Sequence, residues 1–144
     1  MPDFSIENRI SKKGYTHIAG VDEAGRGPWA GPVVAAAVVF NRRTLPRILR
    51  VSLNDSKKLS SNRREALFEV IMGNADVGIG GASVDIIDNI NIWQATSLAM
   101  RRAIEHLTIT PDYSLIDGIH TPLIKCYSEA VVRGDSRSFS IAAA

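Results

Sequence analysis

Residues 18–39 read IAGVDEAGRGPWAGPVVAAAVV, and both the fold and the chemistry of the chain turn on them. The stretch opens with Ile18-Ala19-Gly20-Val21, apolar enough for a buried strand, and ends in a second apolar run from Val33 to Phe40. Between them stand two adjacent carboxylates, Asp22 and Glu23, followed by Gly25-Arg26-Gly27-Pro28. Two charges at the mouth of a buried strand are costly unless hydrogen bonds or a metal compensate them. A β-turn carrying solvated charges is the plain alternative. The glycines weigh against it. Gly25, Gly27 and Gly31 let the backbone approach a ligand closely or take φ > 0, and Arg26 between two of them is a phosphate-seeking donor.

The whole chain bounds what that stretch can belong to. Its 144 residues read as one domain, 1–144, large enough for one core. Hydrophobic residues at 45% and charged residues at 22% argue against a disordered chain. No apolar run reaches the ~18 residues of a membrane helix, so no membrane association is expected. The opening MPDFSIENRI carries acids and no apolar segment of a signal peptide. Cys126 alone permits no internal disulfide, which suits a reducing, cytoplasmic setting. The net charge of +2 decides little, but residues 41–64 hold Arg42, Arg43, Arg47, Arg50, Lys57, Lys58, Arg63 and Arg64 against Asp55, a local charge of +7. That flank suits phosphate contact, and a solvated basic loop accounts for the same charge.

Elements alternate along the chain as in an α/β domain. Residues 1–16 are polar and read as irregular or frayed. Strands are expected over 17–22 and 33–40, antiparallel because the connection is short. Ser60 or Ser61 caps a helix over 62–72 that buries Ala66, Leu67, Val70 and Ile71, and Gly73-Asn74 stops it. A glycine-weakened strand follows over 77–84, then a short turn capped by Asp85 or Asp88. Over 92–107, Ala95, Ala99 and Ala103 recur every four residues and give a helix one small-residue face that can lie close to a sheet. Tyr113–Ile116 and Glu129–Val132 are the last strands, and Ser136, Ser138 or Ser140 starts a final helix.

Three apolar strands therefore end in acids: Asp22-Glu23, Asp117 and Asp135. On one small sheet they would bring four carboxylates to one edge, where mutual repulsion calls for a cation. Hard oxygen ligands suit Mg²⁺ or Mn²⁺, and a pair of such ions about 4 Å apart promotes in-line attack on a phosphodiester. Adjacent strand residues point to opposite faces, so Asp22 and Glu23 cannot share one site on a regular strand. Either the backbone turns at Glu23, or Glu23 contributes its carbonyl or sits on the rim. His17, His106 and His120 lack zinc-ligand spacing; His120 borders the site or is an ordinary surface histidine.

Five segments, GVDEAGRGPWAGPVVAAAVV, NDSKKLS, NINIWQAT, LIDG and RGDSRSFSIAAA, resemble bacterial ribonuclease HII, in that family's order and from Ile18 to Ala144. The resemblance implies a ribonuclease H-like fold, a five-stranded mixed sheet flanked by helices. It implies an endoribonuclease that cuts the RNA strand of RNA–DNA hybrids and single ribonucleotides in duplex DNA, leaving 3′-hydroxyl and 5′-phosphate ends. It implies that Asp22, Glu23, Asp117 and Asp135 are the catalytic quartet holding two Mg²⁺ or Mn²⁺ ions, and that Gly25-Arg26-Gly27 reads the ribose 2′-hydroxyl. Lys57 and Lys58 are expected at phosphates and Asn91 in the minor groove, although a capping loop and a turn explain these three as well. The sister family, ribonuclease HIII, usually has lysine where Arg26 stands.

Two departures qualify the likeness. Trp29 and Trp93 stand where aliphatic residues are common, and both read as packing. Family members continue past SIAAA into a long helix and further helices, including a tyrosine that stacks on a sugar. This chain is accordingly expected to be a catalytic domain incomplete at its C-terminus, with an open apolar sheet face. A catalytically inert nucleic-acid-binding fragment is the alternative, and a full-length protein is expected to be monomeric.

Overall fold

The computed structural model describes residues 2–24, 32–40, 61–118, 121, 122, 124 and 126–144. Strand β1 (Ile18–Ala24) pairs antiparallel with β2 (Val33–Phe40), as the short connection predicts. Helix α2 (Ser61–Asn74) leads to β3 (Ala75–Ala82), which pairs antiparallel with β2. Helices α3 (Val84–Ile90) and α4 (Ile92–Glu105) then carry the chain to β4 (Tyr113–Asp117) and β5 (Tyr127–Val131). Strand β4 lies parallel to β1 and β5 parallel to β4. The result is the expected five-stranded mixed sheet, in the order β3-β2-β1-β4-β5.

One face of the sheet is built for close approach. Ala19, Val21, Val33, Ala35 and Ala37 meet Ala95, Ala99, Met100 and Ala103 of α4 in a single buried cluster. The glycines of β3 make this possible. A Cβ on Gly80 would lie 2.4 Å from the Ala99 carbonyl oxygen, so the helix backbone rests on the strand itself. What reads in the sequence as a weakened strand is a seat for α4.

The opposite face departs from the sequence reading at the N-terminus. Residues expected to be irregular form helix α1 (Ser5–Ser11), which buries Ile6, Glu7 and Ile10. Ile6 and Ile10, four residues apart, pack on Ile18, Leu115, Val131 and Ile141 and so pay the ordering entropy that a polar segment could not. Beside them the last helix, α5 (Phe139–Ala143), crosses β1. A Cβ on Gly20 would stand 2.2 Å from the Ser140 carbonyl carbon, so nothing larger than hydrogen fits there. Val38 and Ile71 form a smaller cluster with Leu67, Val70, Ala143 and Ala144 around it. Val34 and Ile79 remain 43% and 51% exposed on this face.

Smaller corrections have local causes. Helix α2 runs through Gly73 and Asn74 because Asn74 Nδ2 donates back to the Val70 carbonyl, 2.8 Å, and the next strand begins at once. Ala66 is exposed on that helix, Leu67 and Val70 are half-buried, and Ile71 is buried. Ser83, not Asp85 or Asp88, caps α3, its hydroxyl accepting from the Ile86 amide. Trp93 is 54% exposed on the first turn of α4, so it is not a core residue. Strand β5 starts at Tyr127, two residues before the expected position, held in register with Tyr113. No helix among the described residues is long and apolar enough to cross a membrane.

Candidate active site

Because β1, β4 and β5 are parallel, their C-terminal ends open on the same edge of the sheet. Val21 is in register with Ile116, which places the next residues, Asp22 and Asp117, side by side. The two carboxyls are close enough for Asp117 to act directly on Asp22. Burial, then the charge of Asp117 and the hydrogen bond with it, push the Asp22 carboxyl up to about 8, with Glu23 adding to the rise. The Glu23 amide, donating to Asp22 Oδ1 at 2.8 Å, works the other way and does not prevail. Two acids that cannot both ionise cheaply are thus fixed at adjoining strand ends.

The turn after β5 is tied to this pair. Arg133 takes the left-handed conformation (φ 54°), and residues 134–136 form a short 3₁₀ turn containing the half-buried Asp135. The Gly134 amide donates to Asp117 Oδ1 at 2.7 Å, fastening the turn to the end of β4. Gly118, directly after Asp117, has φ 118°, a conformation open to glycine, and its amide reaches the Val131 carbonyl at 3.1 Å. Gly118 and Arg133 therefore carry the left-handed turns that lead the chain away after β4 and β5.

Glu23 lies differently. Pairing of β1 with β2 continues through Ala24, so the strand stays regular and the backbone does not turn at Glu23. Its side chain belongs to the α4 face while that of Asp22 belongs to the α5 face. Among the described residues no three Asp, Glu, His or Cys side chains are grouped as metal ligands. What the structure brings together is the Asp22–Asp117 pair. That pair suits a hard divalent cation: it offers oxygen alone, it is partly buried, and the mutual repulsion that raises Asp22 is what a cation would relieve.

The remaining sequence candidates divide in two. Asn91 (φ 88°) is the N-cap of α4, its Oδ1 accepting from the Gln94 amide at 3.1 Å, so the capping explanation is met. Gly25, Arg26, Gly27, Lys57, Lys58, Trp29 and His120 lie outside the described residues. The sequence reading passed over Glu7, 2% exposed, whose Oε2 accepts from Ser138 Oγ, Ser140 N and Ser140 Oγ. Its only local signal is the position of Glu7 next to Ile6 on the apolar face that Ile10 completes.

Comparison with known proteins places these features in context. A sequence-family model described as Ribonuclease HII matches residues 19–144. The chain is 51% identical over 144 residues to a ribonuclease HII of Ruegeria pomeroyi, covering 99% of itself and 60% of that relative. It is 54% identical to a ribonuclease HII of Jannaschia sp., with 99% and 68% covered. The chain thus spans between 60% and 68% of the length of these relatives. Among solved structures, the ribonuclease H2 of Pyrococcus horikoshii superposes with a TM-score of 0.76 at 24% identity, over 89% of this chain and 68% of that one. Bst-RNase HIII in complex with Mn²⁺ gives 0.72 at 19% identity, over 88% and 48%. The ribonuclease H-like fold expected from the sequence is the fold observed.

Proposed function

Since this chain belongs to the ribonuclease HII family, we propose that it is the catalytic part of a metal-dependent endoribonuclease acting on RNA–DNA hybrids and on single ribonucleotides embedded in duplex DNA. The observation that carries the reading is the Asp22–Asp117 pair, two carboxyls held together at parallel strand ends with Asp22 raised to about 8. An acid pair of this kind is expensive in a merely structural role and useful as a cation site.

Asp22, Glu23, Asp117 and Asp135 would hold the divalent ions, Mg²⁺ or Mn²⁺. Bound as a pair, such ions supply the Lewis acidity and charge neutralisation that in-line hydrolysis to a 5′-phosphate and a 3′-hydroxyl requires. The chain's own part is positional. Strands β1 and β4 fix Asp22 and Asp117, the Gly134 amide orients the Asp117 carboxylate, and the 134–136 turn presents Asp135. Gly25-Arg26-Gly27 would meet the 2′-hydroxyl that separates RNA from DNA, and Lys57 and Lys58 would meet phosphates. Asn91 would approach the minor groove from the start of α4. The whole protein is proposed to work in the cytoplasm as a monomer.

The test is a Mg²⁺-dependent assay on a duplex carrying one ribonucleotide, beside an all-DNA control and a chelator control. Cleavage of the ribonucleotide-bearing strand, abolished by the chelator, is expected. Binding without cleavage would leave the chain as a nucleic-acid-binding module, and cutting of the all-DNA duplex at equal rate would end the ribonuclease H reading.

A further inference from the structure

We propose that Glu7, in the first helix, is a positioning residue for Asp135. Its buried carboxylate holds residues 138–140 and thereby sets the turn that carries the acid. The inference rests on the reading of Asp135 as a metal ligand given above.

The turn at 134–136 is held from two sides. In front, the Gly134 amide is bonded to Asp117. Behind, the Ser138 amide donates to the Gly134 carbonyl at 2.7 Å, so wherever Ser138 goes the turn must follow. Ser138 is fully buried and uses its hydroxyl twice, accepting from the Ile141 amide and donating to Glu7 Oε2 at 3.2 Å. The same oxygen takes the Ser140 amide at 3.1 Å and the Ser140 hydroxyl at 2.9 Å. One carboxylate oxygen thus collects three donors from the first turn of α5. Glu7 cannot be replaced by water without reopening a buried site, because it and Ser140 are each 2% exposed.

The direction of failure is also set. The first turn of α5 already touches the backbone of β1 at Gly20, so it cannot move toward the sheet. With Glu7 truncated, three buried donors lose their acceptor and α5 moves outward to reach solvent, drawing Ser138, Gly134 and Asp135 with it. Helix α1 keeps its place independently through Ile6 and Ile10. Loss of the carboxylate therefore separates from loss of the helix. A displacement of about 1 Å at a ligand is enough to weaken a metal site.

The experiment uses the full protein, well below its melting temperature, with Mn²⁺ alone as the probe. Mn²⁺ affinity is read by electron paramagnetic resonance, and the Gly134 and Asp135 amides are followed by NMR without metal. Glu7→Ala is expected to weaken Mn²⁺ binding about tenfold and to shift both amide resonances. In cleavage, kcat at fixed subsaturating metal falls while KM for the duplex stays within about twofold. Glu7→Gln keeps the acceptor oxygen and is expected to recover most of the affinity. A Glu7→Ala protein with native Mn²⁺ affinity and unmoved amides overturns the proposal, as does a Glu7→Gln protein as weak as Glu7→Ala. Should Glu7→Ala not fold, Ser140→Ala, which removes one donor of three, must show the same changes at smaller size. Unchanged Mn²⁺ affinity there overturns the proposal too. A parent protein that binds Mn²⁺, responds to Glu7→Ala and cuts nothing would end the proposed activity and leave the positioning role standing; one that binds no Mn²⁺ ends both.

Discussion

The two ends of the sheet carry the same residue type in opposite states. At the end where β1 and β4 begin, Asp112 faces fixed donors: its oxygens accept from the amides of Thr16 and His17, each at 2.9 Å. Burial pushes Asp112 up, but those amides more than offset it, and its pKa lies below the ordinary value. Asp76 does comparable work nearby, accepting from the amides of Thr108 and Ile109 at 3.1 and 2.7 Å. At the other end Asp22 faces a second acid and is raised to about 8. A carboxylate that meets amides is a joint in the fold. One that meets a carboxylate carries a repulsion that the polypeptide itself does not offset.

The largest expected effect breaks that contrast at the acid end. Asp22→Asn and Asp117→Asn should each lower cleavage by on the order of a thousandfold or more, while the metal-free protein melts no lower than the parent because repulsion is relieved. Paired rate and melting measurements check both halves; a variant cutting at near-parent rate removes that residue from the site. Next in size is the response to metal. At a Mg²⁺ concentration of 100 times Kd the parent should gain about 2.7 kcal/mol of stability, read as a higher melting temperature. Asp22→Asn should lose most of that gain, and an undiminished gain would place the ion elsewhere.

The dependence on pH sharpens the comparison further, because the two ends have opposite sign. Asp22 holds its proton to about 8 when folded against an ordinary 3.8. The folded state therefore binds more protons between those values, and metal-free stability falls as pH rises across that window. Glu7, raised mainly by its burial, adds to the same trend. Asp112 is lowered, so its contribution is present above about pH 4 and fades only as pH falls through its folded value. Urea titrations from pH 4 to 9 should show a steeper decline for the parent than for Asp22→Asn; parallel curves would refute the raised Asp22. The smallest effect lies at the far end. Asp112→Ala should cost about 1–2 kcal/mol for its lost amide contacts, and the Mg²⁺-induced gain should remain at its parent size. A reduced metal response in that variant would mean the two ends are not independent.

Legibility in the sequence followed the range of the interaction. The seat of α4 could be read because Ala95, Ala99 and Ala103 repeat at helical spacing within one segment, and the antiparallel β1–β2 pair because its connection is short. The adjoining acids Asp22 and Asp117 were visible too, since each follows its own apolar run, whereas Asp135 lies past the end of β5 in the 134–136 turn. What could not be read depends on partners far away along the chain. Helix α1 looked polar because Ile6 and Ile10 find their neighbours in β4, β5 and α5. Glu7 had no local reason to be buried, its donors lying 131 and 133 residues further on. For Asp22 and Glu23 the sequence left open a regular strand, which sends them to opposite faces, or a turn at Glu23, and the unbroken β1 ladder decides for the former. Trp93 illustrates the limit of composition: a large apolar residue beside a cap remained in solvent.

The Glu7 clamp also dates the completion of the site during synthesis. Glu7 is made some 130 residues before Ser138 and Ser140. At about 5–20 residues per second, the glutamate waits several seconds or more before its donors exist. Contacts of such sequence separation form late in folding as well, since a long loop must close before they give anything back. The sheet can pair β1, β2 and β3 early from neighbouring segments, before β4, β5 and the 134–136 turn are made. A nascent chain therefore carries a paired β1–β3 scaffold before Glu7 meets its donors and the 134–136 turn is fixed.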